Sequence, residues 1–94
     1  EHDNEALVEM ELGKGHYRFS ARHDVDDLND RYGLELPENE AYETLGGLVL
    51  HHTEEIPPEG HRLELDEGHA LLVTRVDGAR IVLIEVLRKQ PEEG

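Results

Sequence analysis

The chain has 94 residues, no cysteine and a formal net charge of −14, which allows one hydrophobic core and not two. Without cysteine there is no disulfide framework, no thiolate nucleophile and no sulfur-ligated zinc or iron–sulfur centre. The acidity argues against nucleic acid as a partner, because phosphate binding needs a concentrated basic face.

The charge is unevenly spread: residues 1–12 sum to −5, 24–43 to −7 and 54–67 to −5, while 13–23 carry +3. Self-repulsion of this kind favours solubility, and acidic, lysine-poor surfaces are also common in salt-loving sources. No apolar run approaches the ~18 residues needed to cross a bilayer, and the N-terminus lacks a basic-then-apolar secretion signal. The piece is therefore expected to be soluble, without direct membrane insertion. Starting at Glu1 without an initiator methionine, it is expected to belong to a longer protein whose membrane or catalytic portions lie elsewhere.

The first segment alternates, with Ala6, Val8, Met10 and Leu12 on one face and Glu9 and Glu11 on the other, as a half-buried strand does. After Gly13-Lys14-Gly15 the alternation resumes, with Tyr17, Phe19 and Ala21 inward. A hairpin around Lys14-Gly15 is predicted, in a register that sets Leu12 opposite Tyr17, Met10 opposite Phe19 and Glu11 opposite Arg18. Asp24 then reads as an N-cap, with Asp26 and Asp27 in the first turn, Val25, Leu28 and Tyr32 as the buried stripe and Gly33 as the stop.

Leu34 to Pro37 form an extended connector. A second helix is predicted to start near Tyr42 or Thr44 and end near Thr53, burying Tyr42, Leu45, Val49 and His52. Gly46 and Gly47 fall inside it at a cost of about 1 kcal/mol each relative to alanine. A close approach of the backbone to another element or to a ligand would explain them. Ile56-Pro57-Pro58 ends the helical region. Three strands follow, at about 61–66, 69–76 and 80–88, with Asp77-Gly78 as the hairpin turn between the last two. Ile81-Val82-Leu83-Ile84 is apolar on both faces, so the last strand is predicted to be central. The core spans about 6–88 of a single 1–94 domain, with 89–94 as a disordered tail.

Few constellations carry chemistry. Seven histidines among many acids suggest metal binding, and His51, His52 and Glu55 at the end of the second helix are the weak candidates. No His-Glu-x-x-His motif or EF-hand spacing supports them, and solvated helix-end histidines are the default. Metal buffering by the acidic surface would give only weak sites. Ser20, Thr44, Thr53 and Thr74 lie in no nucleophile elbow, so no catalytic residue is assigned. Gly13-Lys14-Gly15-His16 is too short for a phosphate-cradling loop and precedes a strand. Arg18 and Arg22 stand on the outer face of a strand, where they could pair with Glu9 and Glu11 or hold an anion.

Taken in order, Asp26-Asp27-Leu28-Asn29, Gly33-Leu34-Glu35-Leu36-Pro37, Tyr42-Glu43-Thr44-Leu45-Gly46-Gly47-Leu48-Val49, Ile56-Pro57 with Gly60, and Asp77-Gly78 with Arg80-Ile81 resemble the CorC/HlyC transporter-associated domain. The resemblance runs from about Tyr17 to Leu87. It implies an α+β fold with an N-terminal β-hairpin, two short helices and a three-stranded antiparallel meander, similar to part of the PCMH-type FAD-binding fold. It also implies a parent with membrane and CBS modules upstream, on the cytoplasmic face of the bacterial inner membrane, implicated in magnesium and cobalt efflux and named hemolysin-like. Homo-oligomers formed through that parent are allowed.

The resemblance supplies no catalytic residues. FAD is attached to the family by fold likeness, which does not carry a cofactor with it, and no cofactor is expected. The expected role is a non-catalytic regulatory or interaction module. The alternative is a flavin- or nucleotide-binding domain using Gly46 and Gly47 as a close-approach surface.

Overall fold

A computed structural model describes residues 7–65 and 68–88. Its elements are β1 (Glu9–Gly13), β2 (His16–Ser20), α1 (Val25–Tyr32), α2 (Leu45–Thr53), β3 (Arg62–Glu64), β4 (His69–Asp77) and β5 (Arg80–Arg88). The strands form one antiparallel sheet in the order β1-β2-β5-β4-β3. This is the α+β arrangement expected, with β5 in the centre and both helices in the long connection between β2 and β3. The expected inward Ala6 and the expected disordered tail at 89–94 lie outside the described residues.

Directly paired residues of antiparallel strands share a face, so the register sorts the sheet into rows. Tyr17, Val86, Leu71 and Leu63 form one row and Phe19, Ile84 and Val73 the next. These residues pack with Val25 and Leu28 of α1 and Leu45, Leu48 and Val49 of α2, so the helices cover this inner face. Phe19, Leu28, Leu45, Leu48, Leu71 and Ile84 are fully buried, each contributing about 1.5–3 kcal/mol of burial. Tyr17 and Phe19 stack at 5.7 Å between ring centroids, and Tyr32 tilts against both.

The register of the first hairpin departs from the prediction. Gly13 pairs with His16 as expected, but Glu11 pairs with Tyr17, Met10 with Arg18 and Glu9 with Phe19. Leu12 is the extra residue of a bulge, and one inserted residue exchanges the faces of everything beyond it. Glu9 consequently joins the inner row while Met10 faces outward, 46% exposed. The physical reason lies in α1: Arg31 Nη1 and Nη2 donate to the Glu9 carboxylate at 2.5 and 2.9 Å, and Tyr32 Oη donates to it at 2.5 Å.

Helix boundaries follow local chemistry. Asp24 has the extended backbone of an N-cap but its side chain makes no capping bond, and Gly33 closes α1 at φ 66°. Asn29 holds the connector as a strand would, its side chain donating to Leu36 O and accepting from Leu36 N, both at 2.9 Å. α2 begins after Thr44, whose Oγ1 accepts from Gly47 N. Tyr42 therefore precedes the helix, its hydroxyl donating to Pro37 O at 2.7 Å. His52 is exposed and not part of the buried stripe, which consists of Leu45, Gly46, Leu48 and Val49. The β4–β5 turn falls one residue later than predicted: Asp77 pairs with Arg80, leaving Gly78-Ala79 as the loop, with Gly78 at φ 62°. β3 is shorter than the segment predicted at 61–66.

Candidate functional site

Gly46 and Gly47 lie in the first turn of α2, against the protein itself. A Cβ at Gly46 would sit 3.1 Å from Ala21 Cβ and 3.4 Å from Ala21 O, and one at Gly47 would sit 3.0 Å from Tyr42 Cβ. The first three N–H groups of the helix are all engaged. Leu45 N donates to His23 O and Gly46 N to Ala21 O, each at 2.9 Å, and Gly47 N donates to Thr44 Oγ1 at 3.1 Å. Helix starts hold anions through unsatisfied N–H groups, and these three are taken.

His51, His52 and Glu55 are exposed near the C-terminal end of α2. The His51 ring rests on Tyr42 at 5.3 Å, and His52 Nδ1 donates to Leu48 O at 3.1 Å. Among the described residues no three His, Asp or Glu side chains converge in a way that could hold a metal ion. Asp24, Asp26, Glu38 and Glu43 line a hollow of about 160 Å³ without forming such a group. Ser20 is buried, with its Oγ accepting from Val8 N at 2.7 Å. That bond fixes the start of β1.

Among the described residues no helix lies on the outer face of the sheet. Met10, Arg18, Glu85, Leu72 and Arg62 form one row across all five strands, flanked by His16, Leu87, Ala70 and Glu64 on one side and by Leu83 on the other. Leu72, Leu83 and Leu87 are half-buried, while Met10 and the bulged Leu12 are 46% and 39% exposed.

Glu85 lies at the middle of this face, only 8% exposed. Its carboxylate accepts from His16 Nε2 at 2.7 Å and from Arg18 Nε and Nη2 at 3.2 and 3.0 Å. Burial pushes the Glu85 carboxyl up, but the hydrogen bonds from His16 and Arg18 outweigh it and hold it below the usual glutamate value. Arg18 thus pairs with Glu85 and not with Glu11, its predicted partner. Arg22 has no ion-pair partner among the described residues. Glu85 escaped the sequence reading, although one carboxylate inside the apolar run Ile81 to Leu87 is the signal that marks it, since a buried charge requires partners.

The molecule is thus a two-layer α+β domain with one helix-covered face, one open apolar face around a closed ion cluster, and no assembled catalytic group among the described residues. The chain belongs to the CorC/HlyC family, described as Transporter associated domain, whose model matches residues 10–90. It is 33% identical over 94 residues to the UPF0053 protein YhdP of Bacillus subtilis, covering 99% of this chain and 20% of that protein. To the magnesium and cobalt efflux protein CorC of Salmonella typhimurium it is 28% identical over 87 residues, covering 92% of this chain and 29% of CorC. The transporter associated domain of a CBS domain protein from Porphyromonas gingivalis is 29% identical with a TM-score of 0.72, covering 89% of this chain and all of that one. The chain therefore spans less than a third of the curated relatives named here.

Proposed function

We propose that this domain is a non-catalytic regulatory or interaction module of a CBS-domain membrane protein implicated in magnesium and cobalt efflux, and that it docks its outer sheet face on other parts of its parent. The observation that carries this reading is the open face itself. Met10, Leu12, Leu72, Leu83 and Leu87 lie around the His16–Arg18–Glu85 cluster, whose charges neutralise one another, so covering this part of the face removes apolar surface from water without stranding that cluster. The short share of CorC and YhdP that the domain spans supports partners within the same polypeptide. No helix among the described residues is long and apolar enough to cross a membrane.

A docked module shifts a transporter's conformational balance only by as much as its affinity differs between the two states. The test is the Met10→Glu/Leu12→Glu variant: thermal stability unchanged, association with the remainder of the parent lost. Unchanged association would remove the outer face from the proposal.

The flavin or nucleotide alternative would use the Gly46 and Gly47 surface, where the α2 N–H groups are already bonded within the chain. Titration with FAD, followed by flavin fluorescence and heat, is expected to give no saturable signal. Saturable micromolar binding would favour the alternative.

A further inference from the structure

The domain also has a basic hollow, and it lies at one end of the outer face. We infer that this hollow is a binding site for a small oxyanion, a phosphate or carboxylate group on a compact body, a function beyond the docking proposed above, with whose surface it shares Leu87. Its volume is about 220 Å³, enough for a small anion and below the roughly 300 Å³ of ordinary drug-sized sites.

Charge is the first argument. Of the nine lysine and arginine residues in a chain of net charge −14, Lys14, Arg62 and Arg88 line this one hollow, with Glu64 as the only acid among its described lining residues. An anion is repelled over most of this surface and attracted here. The second argument is commitment. Arg18 and Arg31 are held by Glu85 and Glu9, and Arg62 by Glu64 at 2.6 Å. Lys14 and Arg88, by contrast, have no carboxylate partner among the described residues.

Preorganisation is the third. Arg88 N donates to Gly15 O at 2.7 Å, which locks the Lys14-Gly15 turn, with Gly15 at φ 74°, beside the end of β5. The backbone that carries both uncommitted cations is thereby fixed, so the ordering that opposes binding is confined to their side chains. The floor is apolar: Leu65 and Ala70 are buried and Leu87 half-buried. Low-polarity walls strengthen a charge interaction that water would otherwise weaken.

In sequence, Asp66 and Glu67 join two of the lining residues, Leu65 and Gly68, so the experiment includes a variant that lacks their charge. The 94-residue chain is titrated with inorganic phosphate and, in a second arm, with succinate. Both runs are at constant ionic strength, with the amide resonances of Gly15, Gly68 and Leu87 followed by NMR. Saturable shifts at these amides are expected, with Kd of about 1 mM or tighter, weakened at least ~10-fold in Lys14→Gln/Arg88→Gln. Arg75→Gln/Arg80→Gln, the same charge change near the opposite end of the β4–β5 hairpin, should bind like the parent chain. The stronger of the two arms identifies the oxyanion. Three outcomes would overturn the inference: linear, non-saturating shifts with both anions; equal weakening by both double variants; or binding seen only in Asp66→Asn/Glu67→Gln.

Discussion

Glycine is the poorest helix former after proline, so its presence at positions 46 and 47 requires a compensating contact. The contact is steric: a side chain at either position would meet Ala21 or Tyr42 at about 3 Å. Leucine improves helix propensity by roughly 0.5 to 1 kcal/mol, yet overpacking costs about 1–3 kcal/mol and more where backbone must move. Gly46→Leu and Gly47→Leu should therefore unfold at clearly lower urea concentrations, whereas Glu40→Ala should stay within about 0.5 kcal/mol of the parent. A stabilised leucine variant would remove the packing explanation. At the other end of α2, Glu54 takes the left-handed conformation at φ 68°, a cost of about 1 kcal/mol that glycine avoids. Glu54→Gly should raise the midpoint.

Glu85 gives a pH signature at the same scale. Its carboxyl is held below the ordinary value of 4.5, so the unfolded chain takes up the proton first as pH falls. The stability that Glu85 contributes is complete above 4.5 and is lost as pH drops through the folded value. Urea denaturation of the parent and of Glu85→Gln from neutral pH downward should show a gap that narrows below 4.5. A gap independent of pH would mean that the cluster acts without its charge.

Among the elements, β1 is the most instructive. Its sequence alternates cleanly, and alternation alone turns Met10 inward, but the bulge at Leu12 reverses the faces. What selects the bulge is remote in sequence: Arg31 and Tyr32 of α1 receive Glu9, and no local pattern announces that. Arg18 is similar, since its acid stands on β5, the neighbour created by a non-local pairing. Features decided within a few residues were legible, among them the Lys14-Gly15 turn, the Gly33 stop and the two-sided apolar run that makes β5 central, while the start of α2 was narrowed to Tyr42 or Thr44. Met10→Ala should cost under about 0.5 kcal/mol if the residue faces outward, against roughly 2–5 kcal/mol for a core methionine. Equilibrium denaturation distinguishes these values.

For the whole molecule, the acidic clusters repel over distances near the ~10 Å screening length at 0.1 M salt. The denaturation midpoint should rise with sodium chloride and equally with potassium chloride. An unchanged midpoint would mean that the acids are already compensated. The same asymmetry frames function: one sheet face is covered by helices, and the other is apolar around the neutralised His16–Arg18–Glu85 cluster. Association is the direct test. The domain is titrated by calorimetry into the remainder of the CorC/HlyC-family protein from which it is taken, with Met10→Glu/Leu12→Glu alongside. Saturable binding that the double variant loses while keeping its fold is the result expected. Absence of binding by the parent domain, or equal binding by both, would contradict docking through the outer face.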